Sequence, residues 1–213
     1  MSWRRRFAVA LGTVALCTLA LGAVPAAAQH DQQAHDHGQM PEMSAQEKAA
    51  MEAWMKAGTP AEQHAQLAKM AGKWTMSVKS WPGPGAEPIV SEATATRRMV
   101  WDRYLEEEVE GEMMGMEFRG RGLTGYDNAA GKWWSTWVDN MSTGSMFAWG
   151  EVDESDHSVT FTSELADPVT GGTMPVRTVV RHTSPDEEVM EMYMGAGDQE
   201  FKSMEITYRR AGR

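Results

Sequence analysis

Cysteine is almost missing from this chain: among 213 residues there is one, Cys17, inside an apolar run near the start. A lone thiol builds no disulfide framework, and beyond residue 17 the chain offers neither a thiolate metal ligand nor a cysteine nucleophile. Basic residues are also scarce. Twenty Lys and Arg against thirty Asp and Glu leave a net charge of −10, the wrong sign for nucleic acid or anionic lipid, both of which need clustered cations. The longest apolar run, residues 7–22, covers about sixteen positions, short of the roughly 20 a helix needs to cross a bilayer. No G-x-S-x-G elbow is present, and no Gly-rich phosphate loop leads from a strand into a helix. Leucine is rare as well: after residue 28 it occurs as Leu67, Leu105, Leu123 and Leu165, in a chain with 18 Met and 9 Trp.

The first 28 residues read as a secretory signal. Arg4-Arg5-Arg6 supplies a positive start, residues 7–22 an apolar centre, and Ala26-Ala27-Ala28 a small-residue processing site. Arg4-Arg5-Arg6-Phe7 also fits the centre of a twin-arginine signal. The bland reading, that the arginines only charge the start, is favoured. Leu16 before Cys17 argues against lipid attachment. Cleavage after Ala28 would deliver a cysteine-free chain to the periplasm or the exterior. Removal of three arginines and no acid would take the net charge from −10 to about −13.

Residues 29–43, QHDQQAHDHGQMPEM, have no apolar periodicity and are expected to be disordered. His30, His35, His37, Met40 and Met43 offer imidazole and thioether ligands of the kind that suit copper, or with Asp36 zinc. A polar spacer is the plainer reading of the same stretch, and no other cofactor is indicated. Ser44-x-x-Glu47 is a capping box opening a short helix to Gly58. Thr59-Pro60-Ala61-Glu62 predicts a second helix over 60–71, with Pro60 in its first turn and His64, Leu67, Ala68 and Ala71 on one face. Residues 29–58 thus form a tail and helix ahead of a domain over 59–213.

From Trp74 the period changes to two. About ten β-prone runs, at 73–80, 89–100, 103–112, 117–126, 132–140, 144–152, 157–165, 174–183, 187–194 and 199–209, alternate with turn sequences such as WPGPGAEP, YDNAAGK and DPVTGGT. Connections this short force antiparallel neighbours and leave no room for crossover helices. The fold class is therefore all-β, a ten-stranded antiparallel meander that must hide its edges. Closure into a small barrel with the 60–71 helix at one mouth is the expectation, with a β-sandwich as the alternative. Alternation sends Thr178, Val180 and His182 to one face, groups Met190, Met192 and Met194, and groups Lys202, Met204, Ile206 and Tyr208. It also turns Glu107 inward with Leu105 and Val109. A buried carboxylate needs a cation, and Arg97, Arg98, Arg119 and Arg121 are the candidates.

Five stretches, HAQLAKMAGKW (64–74), WPGPGAEP (81–88), GEMMGMEFRGRGLTGYDNAAGKWWSTWVDNMSTG (111–144), ELADPVTGG (164–172) and MEMYMGAGDQEFKSMEITYRR (190–210), together resemble the bacterial family of unknown function DUF1579. The resemblance covers about residues 60–211. It implies similarity to calycins, the lipocalin and fatty-acid-binding group of closed barrels. Gly72-Lys73-Trp74 then resembles the calycin G-x-W motif, with Trp74 closing the barrel floor. The family carries no established activity, and a shared fold does not transfer one.

The candidate ligand contacts are Trp74, Arg97, Glu107, Arg119, Arg121, Tyr126, Trp133, Trp137, Asp139, His182 and Met192. Trp133, Trp137 and Asp139 share one strand face, suited to stacking a planar group and holding its polar end. Simple packing, with Asp139 capping the next turn, is the alternative. Glu107, Asp139 and His182 are the candidate acid–base residues for an enzyme reading; an internal salt-bridge network is the plainer one. Some calycin-like barrels hold haem through one His, which here would be His182. The expectation carried forward is a barrel binding a small, partly apolar ligand, with catalysis or metal handling by the tail as the other readings.

Overall fold

The computed structural model describes residues 43–113 and 115–212. The signal, its processing site and the tail candidates His30, His35, His37 and Met40 lie outside the described residues.

Helix α1 (Ala45–Gly58) starts where the capping box predicts. The Ser44 hydroxyl accepts the Glu47 N–H at 3.3 Å, and the Glu47 carboxylate accepts the Ser44 N–H at 2.8 Å. None of its residues is buried, and Met51, Trp54 and Met55 are exposed. Its C-terminal end is tied to the barrel's turns: Arg103 donates to the Gly58 carbonyl at 2.8 Å and Asn128 to that of Ala57 at 3.0 Å.

Helix α2 (Glu62–Lys69) is shorter than the predicted 60–71. Thr59 does not cap it. The Thr59 hydroxyl turns back and donates to the Met55 carbonyl at 2.7 Å, while the Ala61 N–H donates to Nδ1 of His64 at 2.9 Å. The threonine closes α1 instead, so α2 begins one residue past Ala61 with a histidine serving its N-terminus. His64 and Leu67 are buried beneath it, but Ala68 is exposed.

Ten strands follow: β1 (Gly72–Ser80), β2 (Ile89–Val100), β3 (Tyr104–Met113), β4 (Met116–Asp127), β5 (Lys132–Asp139), β6 (Met146–Asp153), β7 (Ser158–Ala166), β8 (Thr173–Ser184), β9 (Glu187–Met194) and β10 (Phe201–Arg210). Each pairs antiparallel with the next, and β1 pairs with β10 from Trp74–Arg210 to Ser80–Met204, closing the barrel. Closure removes both free edges of the meander and decides against a sandwich. Successive turns alternate between two ends. Helix α2 lies at the end holding the β2–β3, β4–β5, β6–β7 and β8–β9 turns, and the other mouth is framed by the remaining turns.

Partners across a ladder share a face, which sorts the sequence-stretch groupings. Glu107 pairs with Gly122 and Val109 with Gly120, so in β4 the glycines face inward and Arg119 and Arg121 face out. On β10 a register shift between Lys202 and Met204 inserts Ser203. The bulge breaks the strict alternation, so Lys202 does not share the inner face of Met204, Ile206 and Tyr208. It pairs outside with Glu191 and Glu205.

The outer wall carries an aromatic row. Tyr104, Trp134, Phe147 and Trp149 contact in series, with centroids 5.6, 6.5 and 5.2 Å apart, and Trp101 joins Tyr104 at 6.3 Å. Trp101 and Asp102 sit at the centre of the 100–103 turn with φ of 53° and 55°. Left-handed backbone is unfavourable for residues with a Cβ. Replacing the pair by Asn-Gly is expected to raise stability by about 1–2 kcal/mol, read as a higher urea midpoint at unchanged slope.

Candidate functional site

The barrel is hollow. A cavity of about 2140 Å³ runs from beneath α2 to the opposite mouth, larger than the ~300–1,000 Å³ of most small-molecule pockets. The inward residues of β1, β9 and β10 give one wall, with Met76, Met190, Met192, Met194, Met204 and Ile206. Aromatic side chains give the other: Phe118, Tyr126, Trp133, Trp137 and Phe161. Met113 lines the cavity too, whereas its ladder partner Met116 is exposed at the hairpin end. Flexible thioethers adapt to an occupant's shape better than branched side chains do, which gives the scarcity of leucine a place in the structure.

At the helix end the floor is built on Trp74, which is 1% exposed and donates its indole N–H to the Met70 carbonyl at 3.0 Å. The Arg97 guanidinium lies 5.1 Å from the Trp74 ring and 4.4 Å from that of Tyr208. Arg97 is buried between two acids. Its Nε donates to Glu107, and its Nη2 donates to Glu188 at 2.8 Å. Glu188 is also 3.1 Å from Nδ1 of His182. Tyr208 completes the group with a 3.4 Å contact from its hydroxyl to Glu107. Burial alone would raise the Glu188 pKa, but the charge of Arg97 and hydrogen bonds from His182 and Arg97 outweigh it and hold the carboxyl at about 2. Burial works against the Arg97 charge, yet Glu107 and Glu188 keep the guanidinium above its ordinary range. Burial and the neighbouring Glu107 charge push the Tyr208 phenol well above its usual value.

At the far mouth Trp137 and Asp139 are coupled. The Trp137 indole N–H donates to Asp139 at 3.0 Å, the other Asp139 oxygen accepts the Met141 N–H at 3.0 Å, and Phe118 stacks on Trp137 at 6.5 Å. Asp139 therefore holds the indole and caps the turn at once. The ring is accommodated because β4 has no side chain beneath it: a Cβ on Gly120 would sit 2.2 Å from Trp137 Cζ2. Gly120→Val is expected to displace the indole, cost about 1–3 kcal/mol and alter the near-ultraviolet circular dichroism, while far-ultraviolet signal stays that of a β-barrel.

Of the residues singled out by sequence, Arg97, Glu107, Tyr126, Trp133, Trp137, Asp139, His182 and Met192 line this cavity, and Trp74 lies under its floor. Arg119 and Arg121 do not. They are largely exposed and paired outside, Arg119 with Glu117 and Arg121 with Glu108 and Glu106. Glu107 takes Arg97 instead, and Arg98 pairs outside with Glu106. The three acid–base candidates are not assembled either. His182 stands beside the β8–β9 turn at the helix end, whereas Asp139 ends β5 at the other mouth. His182 keeps a 48% exposed side chain, so it is not the enclosed histidine that the sequence pattern places beside Glu107. Two residues of the polar group are not among those candidates, Glu188 and Tyr208, although alternation already groups Tyr208 with Met204 and Ile206. The signal for Glu188 was its parity with Met190, Met192 and Met194, obscured because it falls in the turn-like string TSPDEE. Among the described residues no group of His, Asp or Glu has the arrangement of a metal site, and no helix is long and apolar enough to cross a membrane.

Fold and site together define a closed, ten-stranded antiparallel barrel with an internal cavity of ligand size. The chain belongs to DUF1579, a family described as proteins of unknown function, whose family model matches residues 59–210. No curated protein matches it. Among solved structures it is similar to a redesigned β-barrel, at 13% identity and a TM-score of 0.36, over 68% of this chain and 95% of that one.

Proposed function

We propose that this chain is an exported, calycin-like binding protein that carries a small, partly apolar ligand inside its barrel. The observation that supports this reading is the cavity of about 2140 Å³ with methionine and aromatic walls. A space of that size has no role in stability, since unfilled volume costs packing energy. The signal-like residues 1–28 supply the compartment, the periplasm or the exterior, where the protein would work after cleavage following Ala28. The polar group at the helix end and Asp139 at the far mouth give an amphiphile two places to hold a polar end, with apolar surface between them.

Expression of the full chain into the periplasm, followed by intact and native mass spectrometry, tests both halves. The expected results are a polypeptide beginning at Gln29 and a non-covalent adduct that organic extraction removes. A polypeptide retaining Met1 would overturn export with cleavage. A bare polypeptide mass that takes up no neutral apolar probe would overturn the binding reading.

A further inference from the structure

The charges inside the barrel set the sign of what it can hold, granted that the cavity is a binding site. Among the described lining residues the one cation deep in the cavity is Arg97, and two carboxylates already neutralise it. An incoming anionic head group would have to displace Glu107 or Glu188 from hydrogen bonds inside low-dielectric surroundings, leaving a carboxylate buried without a partner. The described lining residues carry eight carboxylates against four cations, and the other three cations, Lys69, Lys132 and Arg210, are all at the helix end. At the far mouth the charged lining residues among those described are Glu112 and Asp139, both acidic. There the indole of Trp137 and the ring of Phe118 lie nearly parallel, 16° apart, beside the Asp139 carboxylate. Aromatic faces next to a carboxylate attract a desolvated cation and repel an anion.

We propose that the barrel selects amphiphiles with a cationic head group, the head resting at the mouth formed by Phe118, Trp137 and Asp139 and the apolar tail reaching in towards Met76, Met190 and Ile206. Any carboxylate or phosphate amphiphile of equal length is disfavoured by the same charges.

Three probes of one chain length, dodecyltrimethylammonium, dodecanol and dodecanoate, titrated below their micelle thresholds and followed by calorimetry and tryptophan emission, separate the possibilities. The expected order is ammonium, then alcohol, then carboxylate, with about tenfold between the ammonium and the alcohol and a preference that shrinks as salt is raised. Asp139→Asn is expected to remove most of that preference by weakening the ammonium probe, and the asparagine carbonyl can still accept from Trp137, so the indole stays in place. Dodecanol binding with dodecanoate equal to or tighter than the ammonium would overturn the charge selection and leave the binding reading intact. Failure of all three probes to bind would overturn the binding reading itself. An unchanged preference in Asp139→Asn would overturn the placement of the head group.

Discussion

Replacing Arg97 by leucine is expected to destabilise the barrel by about 3–5 kcal/mol near neutral pH. The guanidinium is buried between Glu107 and Glu188 and stacks on Trp74 and Tyr208. Without it, two carboxylates lie close together in the barrel floor with their shared counter-charge gone. The pH dependence distinguishes this loss from a simple packing defect. In the wild type the Glu188 carboxyl is held at about 2 against an ordinary 4.5, so its contribution is complete above pH 4.5 and is lost as pH falls towards 2. In Arg97→Leu only His182 still opposes the effect of burial on that carboxyl, so its pKa rises and protonation relieves the variant as pH falls. The gap between the two urea-denaturation energies should therefore narrow from pH 7.5 to pH 4. Adding Glu107→Gln and Glu188→Gln to Arg97→Leu should recover part of the loss at pH 7.5. A gap that stays constant or widens on acidification would show that electrostatic pairing is not what Arg97 contributes.

Trp74→Ala is the other large expected effect, a loss of about 3–5 kcal/mol. Trp74 is the largest fully buried side chain, and it joins three parts of the molecule. Its indole N–H holds the last turn before β1 through the Met70 carbonyl. Its ring carries the guanidinium groups of both Arg97, at 5.1 Å, and Arg210, at 4.3 Å. Arg210 in turn donates to the Lys69 and Ala71 carbonyls at the end of α2. Truncation would open a void and loosen the anchoring of α2 over the mouth. Beyond the stability loss, amide exchange should accelerate in α2 before it does in β4–β6. Trp74→Phe retains most of the ring and should recover most of the stability while leaving the Met70 carbonyl without its donor.

How far the sequence revealed this depends on the range of the interactions. The strands and their order follow from local signals, period-two alternation and turn residues at short spacing, and the ten strands agree with the expected runs within about two residues. The inward set on β5, with Trp133, Trp137 and Asp139 together, follows from the same parity. What the sequence hid was long-range or irregular. Arg97 and Glu107 face each other across the β2–β3 hairpin, but Glu188 on β9 reaches Arg97 only because the barrel closes, from 91 positions away. The bulge that turns Lys202 outward leaves no composition signal. Arg119 and Arg121 look like partners for a buried acid until the β3–β4 register sets Gly122 opposite Glu107 and Gly120 opposite Val109. In α2, a backward hydrogen bond from Thr59 to Met55 competes with the cap, a choice two equally local geometries leave open.

The proposed function requires that the hollow interior take up a ligand. Calorimetric titration of dodecanol into the wild type and into Ser135→Trp tests it most directly. Ser135 faces the cavity between Trp133 and Trp137, so an indole there fills the middle of the space. The account predicts saturable binding to the wild type and at least about tenfold weaker binding to Ser135→Trp, with both proteins giving the same far-ultraviolet spectrum. No saturable uptake by the wild type, or equal affinity in the filled variant, would contradict it.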